Sequence, residues 1–221
     1  MLRKPDSNVL TPKVIIFDVD GVLFNTDELM FRELQRALAP SGIAIDEVFY
    51  ARNGYDDCLD ALDIPPEQRE VILRMVRECY YTDDILPRVR MKPGVLETLK
   101  TLSPSFSLAI GSGETKEQLE RYLHNFSIAE YFSFIGHGAL VKGRKSNPEY
   151  FRTIMRHYGV SPQECLHVGD TPTDQNALRA GIPVIIIPTD YSRHFTFDPR
   201  CRIVASIGDL PGILARSQER E

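Results

Sequence analysis

Two carboxylates stand one residue apart, directly after a short apolar run near the start of the chain. Val14–Phe17 is a run of four large apolar residues, and Asp18, Asp20 and Gly21 follow it. Neighbouring acids repel one another, so a nearby cation is the usual reason that a protein site tolerates them. Carboxylate oxygens suit a hard divalent cation such as Mg²⁺. The segment therefore predicts a magnesium site in which one acid can attack and the other can exchange protons.

A second acidic segment, GDTPTD, follows the apolar run Leu166–Val168. Asp170 and Asp174 are four residues apart across a turn into a helix, so both carboxylates can approach one cation. Magnesium keeps several waters and borrows ligands from substrate phosphate, so a few protein carboxylates are enough. An acid at this position also suits a helix N-terminus, and that role is compatible with support of a metal. We therefore expect both acids to join the magnesium site.

A hydroxyl and an ammonium group supply donors for a phosphate. Ser112 follows an apolar run and precedes a helix, where its hydroxyl and nearby backbone N–H groups can donate to phosphate oxygens, although a simple helix cap is the alternative. Lys145 stands just before a helix that opens at Pro148, and it can lie between a carboxylate and a phosphate as a point charge. A solvated surface lysine is the alternative, and Lys142 and Arg144 are competitors for the same role.

These residues need elements that bring them together, and the chain alternates short apolar runs with helical segments. Alternation of this kind predicts an α/β fold with a doubly wound parallel sheet covered on both faces. In such sheets, ligands bind beyond the carboxyl ends of the strands, where Asp18, Ser112 and Asp170 are all expected. The predicted strands are Val14–Phe17, Phe106–Ile110, Phe132–Ile135, Leu166–Val168, Val184–Ile187 and Ile203–Ala205.

One region breaks the alternation and predicts a helical domain inserted after the first strand. Residues 25–92 contain no convincing strand, whereas 1–24 and 93–221 form the expected α/β core domain. The segment Arg52–Tyr55 is expected to be a loop that could contact substrate. The predicted helices of the inserted domain are Glu28–Leu38, Asp56–Leu62 and Pro66–Tyr81.

With these motifs in hand, the chain resembles the haloacid dehalogenase superfamily, in the phosphatase branch with a helical cap inserted after the first motif. FDVDGVL matches the family's D-x-D-G motif, and Ser112 matches its second-motif hydroxyl. Lys145 matches the third-motif lysine, and GDTPTD matches the acidic fourth motif. The resemblance runs from about Lys13 to about Ala205. It implies a Rossmann-like core and a helical cap that selects the substrate.

The resemblance also implies a role for each acid. Asp18 would be the nucleophile that forms an aspartyl-phosphate, and Asp20 would protonate the leaving alcohol and then deprotonate the attacking water. The Asp18 carboxylate, the Asp20 carbonyl and Asp170 would bind Mg²⁺, with Asp174 in support. The residues implied to hold the transferring phosphoryl group are Ser112 and Lys145. The implied activity is Mg²⁺-dependent hydrolysis of a small phosphorylated metabolite.

Several alternatives share parts of this pattern. Dehalogenases and phosphonate hydrolases of the superfamily lack the acid that stands here as Asp20. Phosphosugar mutases of the beta-phosphoglucomutase type share the core residues and differ in the cap, so a mutase remains the main alternative. A signalling receiver domain carries its lysine last along the chain, whereas Lys145 precedes Asp170. A non-catalytic phosphate-binding protein with the same fold would have no reason to keep every charged group.

Composition limits the partners. The 221 residues carry 26 basic and 31 acidic side chains for a net charge of −5, without a basic stripe, which argues against a nucleic-acid partner. No apolar run approaches the roughly 20 residues of a membrane span, and the N-terminal segment lacks the apolar stretch of a secretory signal. Four scattered cysteines predict reduced thiols in a cytoplasmic protein. The oligomeric state cannot be read from the sequence.

Overall fold

A single parallel sheet organises the chain. The structure is a computed structural model that describes residues 12–80, 83–142 and 144–218. Its six-stranded sheet has the order β3-β2-β1-β4-β5-β6, and every neighbouring pair is parallel. The predicted α/β doubly wound fold is therefore confirmed. The strands are β1 (Val14–Phe17), β2 (Ser107–Gly111), β3 (Phe132–Gly136), β4 (Cys165–Gly169), β5 (Val184–Ile186) and β6 (Arg202–Ile203).

Helices cover both faces of this sheet, and β1 sends alternate side chains to each side. Ile15 and Phe17 pack into one core, and Val14 and Ile16 pack into the other. Because both faces are buried, the strand is apolar at every position. The sequence patterns above do not predict α7. The helices are α1 (Thr26–Leu38), α2 (Glu47–Ala61), α3 (Pro66–Tyr80), α4 (Val95–Leu102), α5 (Lys116–Asn125), α6 (Pro148–Tyr158) and α7 (Leu210–Gln218), with a 3-10 helix at Pro172–Ala180.

The strand register aligns the ends of the three central strands. Phe17 at the end of β1 is opposite Ile110 of β2 and Val168 of β4. The Asp18 backbone N–H then donates to the Val168 carbonyl at 2.8 Å. The residues that follow these three strands therefore meet at one edge of the sheet.

Helices α1, α2 and α3 form a cluster with a core of their own. Phe31, Leu34 and Leu38 of α1 pack with residues of the other two helices, among them Leu59 and Ile72. Residues 47–61 form one continuous helix, so the sequence-based expectation of a short helix from Asp56 preceded by a loop at Arg52–Tyr55 is wrong. Among the helices that the structure describes, none has both the length and the apolar character needed to cross a bilayer.

The three-helix cluster joins the sheet through two segments that lie side by side. Phe24 and Met91 form an antiparallel bridge. The Asn25 N–H donates to the Arg90 carbonyl at 3.1 Å, and the Arg90 N–H donates to Asn25 Oδ1 at 2.7 Å. The entry to the cluster and the exit from it are therefore tied together, close to the end of β1.

Candidate active site

Asp18 lies in the first position after β1 and is buried. The Val19 N–H donates to its Oδ1 at 2.8 Å, and Lys145 Nζ lies 2.7 Å from its Oδ2. Burial and the neighbouring Asp174 raise the pKa of Asp18 well above its ordinary value, and Lys145 opposes them. The carboxylate is thus held in a fixed orientation, and additional positive charge is needed to keep it fully ionised.

Lys145 is a buried cation that joins two acids. Its Nζ lies 2.7 Å from Asp18 Oδ2 and 2.8 Å from Asp174 Oδ1, and the residue is 6% exposed. Burial alone would lower the pKa of Lys145, but Asp174 and Asp18 raise it above its ordinary value. The two competitors from the sequence, Lys142 and Arg144, are exposed. The structure therefore selects Lys145 as the lysine of this site.

Asp174 has a hydrogen-bond partner on every side. Its Oδ1 receives Lys145 and lies 2.9 Å from His167 Nε2. Its Oδ2 accepts from the Asp170 N–H at 3.1 Å, from the Thr171 N–H at 3.0 Å and from the Thr171 hydroxyl at 2.9 Å. Burial raises the pKa of Asp174, but Lys145 and His167 outweigh it and hold the pKa well below its ordinary value. The residue is an ionised support for Lys145 and for the GDTPTD turn.

Asp170, in contrast to Asp174, is buried and lacks a hydrogen-bond donor among the described residues. It is 1% exposed, and neither of its carboxylate oxygens receives a hydrogen bond from any residue that the structure describes. Burial and the nearby Asp27 raise its pKa well above the ordinary value. Oxygens of Asp18, Asp170 and Asp174 all lie within 4.8 Å of one another. A buried carboxylate that faces other acids and lacks a donor fits a cation ligand.

Two glycines allow the acids to come this close. A Cβ on Gly21, which has a φ of 74°, would overlap the Asp170 carboxylate, and a Cβ on Gly169 would overlap the Asp174 carboxylate. Glycine is the residue that permits both a left-handed backbone and such close approach. The glycines in the turn after β1 and at the end of β4 therefore leave the space that the Asp170 and Asp174 carboxylates occupy.

Asp20 lies apart from the cluster of three carboxylates. Its side chain is partly exposed, and its Oδ1 accepts from the Thr26 hydroxyl at 2.5 Å. Thr26 begins α1, so the first residue of the three-helix cluster orients this acid. The Asp20 carboxylate is not one of the three grouped acids, and a part for Asp20 in metal binding through its carbonyl stays a prediction.

Ser112 lies at the same edge of the sheet, one residue beyond β2. It is buried, its hydroxyl oxygen accepts from the Glu114 N–H at 3.0 Å, and its N–H donates to the Gly136 carbonyl at 3.1 Å. The Tyr150 hydroxyl donates to the Ser112 carbonyl at 2.9 Å. Because the serine hydroxyl is an acceptor for the backbone, its own proton remains available for another acceptor.

The arginines near the three-helix cluster are engaged within the protein. Arg88 pairs with the buried Glu33 of α1. Arg90 donates through Nη1 to the Val89 carbonyl at 2.9 Å. The Arg52 side chain lies outside the described part of the structure. Arg88 and Arg90 therefore have partners within the protein itself.

Three features of the site escape the sequence reasoning. His167 is a buried strand residue whose ring contacts Asp174, a contact that the pattern of β4 does not reveal. Asp27, the second residue of α1, brings a further carboxyl group to Asp170 and Gly21. Tyr191 extends from the loop after β5 to the three-helix cluster. The sequence gives only two hints of these features, which are the acid Asp27 that follows Asp20 closely and the tyrosine Tyr191 in a polar loop.

Comparison with known proteins agrees with the family resemblance that the sequence motifs indicate. Residues 15–187 match the family model described as haloacid dehalogenase-like hydrolase. The chain is 28% identical to the pyrophosphatase PpaX of Halalkalibacterium halodurans, over 91% of this chain and 98% of that protein. It is also 28% identical to a phosphoglycolate phosphatase of Rhodospirillum rubrum, over 90% of this chain and 86% of that protein.

Solved structures share the fold. A variant of CbbY from Rhodobacter sphaeroides, crystallised with xylulose-(1,5)bisphosphate, superposes with a TM-score of 0.72. The match covers 90% of this chain and 96% of that chain at 22% sequence identity, so it concerns the fold alone. Its parallel sheet with flanking helices is the architecture described above.

Proposed function

Because the chain belongs to the haloacid dehalogenase-like hydrolase family and is a phosphatase-type hydrolase, we propose that it hydrolyses a small phosphorylated metabolite through an aspartyl-phosphate on Asp18. The observation that carries the proposal is the contact of Asp18 with Lys145, 2.7 Å apart in a buried site beside an acid without a donor. In phosphoryl transfer, positioning and charge neutralisation supply most of the catalysis.

In the first half-reaction, an Asp18 oxygen forms a bond to phosphorus while the bond from phosphorus to the ester oxygen breaks. Asp20 gives a proton to that departing oxygen, which leaves as an alcohol. The Thr26 hydroxyl, 2.5 Å from Asp20, orients the acid for this transfer. Lys145 and the Ser112 hydroxyl bind oxygens of the transferring group, which spreads its negative charge over two fixed donors.

In the second half-reaction, water attacks phosphorus and the bond from phosphorus to the Asp18 oxygen breaks. Asp20, now ionised, takes a proton from the attacking water. Inorganic phosphate leaves, and both aspartates return to their starting states. Asp174 does not react, because four donors and the His167 ring surround its two oxygens, and it keeps Lys145 in position.

The acids of the site fit Mg²⁺. The proposed ligands are the Asp18 carboxylate, the Asp20 carbonyl and Asp170, with Asp174 in support. When bound, Mg²⁺ supplies positive charge that neutralises the acids and the phosphoryl oxygens. The lack of any hydrogen-bond donor to Asp170 among the described residues supports this assignment.

We propose that the three-helix cluster is a cap that selects the substrate. We propose residues 25–92 as the cap domain, and 1–24 with 93–221 as the catalytic core. The separate apolar core of the three helices and the two adjacent connections at Asn25 and Arg90 support this division. The buried cysteines Cys58, Cys165 and Cys201 form no disulfide with one another, which fits a reducing cytoplasmic location.

The test is magnesium-dependent phosphate release from phosphorylated sugars, phosphoglycolate, pyrophosphate, nucleotides and a chromogenic ester, measured with wild type and Asp18→Asn. We expect release that requires both the metal and Asp18, with one substrate preferred. Glu97→Gln is the control, because Glu97 is an exposed acid of α4 that pairs with Lys100 at 3.4 Å. Absence of release from every compound, with folding intact, would contradict the proposal. Turnover of a phosphosugar only with a bisphosphate primer would identify a mutase.

A further inference from the structure

Asp27 is an acid of the site that the mechanism above does not use. It lies in the first turn of α1, and its Oδ2 and Asp170 Oδ2 lie 2.6 Å and 2.3 Å from the position that a Cβ on Gly21 would occupy. Although part of the residue is exposed, its carboxyl group faces the site. Burial there and the nearby Asp20 raise the pKa of Asp27 to about 7.

The arrangement leaves two acids facing each other. Asp170 is 1% exposed and has no hydrogen-bond donor among the described residues, and the group beside its oxygens is the Asp27 carboxyl. Two ionised carboxylates that lie side by side repel one another unless a proton or a cation is bound between them. An uncompensated acid pair is costly to keep in a folded protein, so its presence points to a positively charged ligand.

A small cavity opens beside these acids. It has a volume of about 100 Å³ and is lined by residues from the end of β1, the two connections and the loop after β5, namely Gly21, Asn25, Asp27, Glu28, Lys92, Thr189, Asp190 and Tyr191. A polar cavity of that size has room for several ordered waters. Asp27 lines this cavity, whereas the fully buried Asp174 does not, so Asp27 is the acid that can accept hydrogen bonds from such waters.

We propose that Asp27 is an additional acid of the cation site, and that it binds the water shell of the divalent cation held by Asp170. The inference rests on the proposed metal dependence of the phosphatase. Mg²⁺ retains several waters in protein sites, and each of those waters needs an acceptor with a fixed position. A carboxylate that orients metal-bound waters raises the affinity of the site for the metal without touching the metal itself.

The experiment measures metal binding without substrate or turnover. Mn²⁺ binding to wild type, Asp27→Asn and Asp27→Ala is measured by electron paramagnetic resonance, with Mg²⁺ as competitor. We expect both variants to bind Mn²⁺ about 10-fold more weakly than wild type, the low end of what outer ligands contribute. The control is Glu97→Gln, which removes one negative charge from an exposed position of α4, where the acid pairs with Lys100 at 3.4 Å. We expect the control to retain wild-type affinity.

The possible results separate this inference from the proposed function. Wild-type Mn²⁺ affinity in both Asp27 variants would overturn the role of Asp27 and leave the phosphatase proposal intact. An equal loss in Glu97→Gln would show that the effect reflects net charge alone, and it would also overturn the role of Asp27. Absence of Mn²⁺ binding by wild type would instead remove the metal dependence on which both proposals stand. Thermal unfolding of each variant without metal establishes that its fold is intact.

Discussion

His167 Nε2 lies 2.9 Å from Asp174 Oδ1, and the two side chains are fully buried. The same oxygen receives the Lys145 ammonium, which in turn contacts Asp18. The other ring nitrogen, Nδ1, lies 3.0 Å from the Ile16 carbonyl oxygen in β1. The imidazole therefore links the strand that ends in Asp18 to the acid that supports the lysine. This makes His167 a positioning residue, although it touches none of the reacting atoms.

We expect His167→Leu to lower both stability and activity. The substitution leaves the Ile16 carbonyl without its partner and removes one partner of Asp174, and loss of a buried hydrogen-bond partner costs about 1–3 kcal/mol. Urea unfolding should report that loss, and kcat should fall more than KM rises, because Lys145 loses its fixed position. His124→Leu, in an exposed position of α5, is the control. Unchanged kcat in His167→Leu would contradict the positioning role.

Lys145→Met should have the largest effect on both folding and turnover. The substitution leaves Asp18 and Asp174 without the cation between them, and breaking a buried ion pair by removing one partner costs about 3–5 kcal/mol. Turnover should fall at least about 100-fold, which is the scale for loss of one electrostatic donor in a transition state. Phosphate release and chemical denaturation measure the two effects.

The chain supplies a matched control for this lysine. Lys142→Met removes an exposed lysine three residues away, and we expect it to change kcat and stability little. Lys145→Arg tests geometry, because a planar guanidinium cannot replace a compact ammonium between two acids. If Lys142→Met proved as damaging as Lys145→Met, the selection of Lys145 by burial would be wrong.

The sequence predicts those residues of the site that directly follow the ends of strands. Asp18, Ser112 and Asp170 each follow an apolar run, and parallel strands bring such residues to one edge whatever the details of packing. The burial of Lys145 was not readable, because its neighbours Lys142 and Arg144 have the same chemistry. Only the packing of the loop before α6 distinguishes the three.

The features that the sequence missed depend on packing. Helix α2 has a glycine in its interior and few apolar residues in a regular spacing, so its local preference for helix is weak. Tertiary contacts of Tyr50 and Leu59 stabilise it, together with the Asp46 side chain, which accepts from the Phe49 N–H at 2.7 Å. Contacts such as that of Asp27 with Asp170 join distant segments, and no local pattern encodes them.

The effect of metal on thermal stability should depend on Asp170. In the metal-free protein, Asp170→Asn is expected to unfold at a higher temperature than wild type, because it removes a buried charge without a donor. Addition of Mg²⁺ should raise the unfolding temperature of wild type and leave Asp170→Asn nearly unchanged. Thermal unfolding with a chelator and with Mg²⁺ measures both effects. Glu97→Gln is the control, and equal Mg²⁺ stabilisation in Asp170→Asn would contradict the ligand role.

Tyr191 is the side chain that carries the contact of the β5 loop with the three-helix cluster. Its ring centroid lies 5.7 Å from that of Phe31 and 5.8 Å from that of Tyr50, and the latter two are 5.2 Å apart. Aromatic pairs of this kind contribute about 0.5–1.5 kcal/mol each beyond the burial of area. Burial raises the pKa of Tyr191 to about 12, so the phenol stays neutral at physiological pH.

We expect Tyr191→Ala to weaken the packing of the β5 loop against the three-helix cluster while leaving the sheet intact. Loss of two aromatic contacts should lower kcat/KM about 10-fold, since about 1.4 kcal/mol corresponds to one factor of ten. Tyr191→Phe keeps the ring and should remain close to wild type, so it separates ring packing from the hydroxyl. Steady-state kinetics and thermal unfolding measure the two variants. If Tyr191→Phe lost as much activity as Tyr191→Ala, the hydroxyl would be the active group, and the role assigned to the aromatic contact would be wrong.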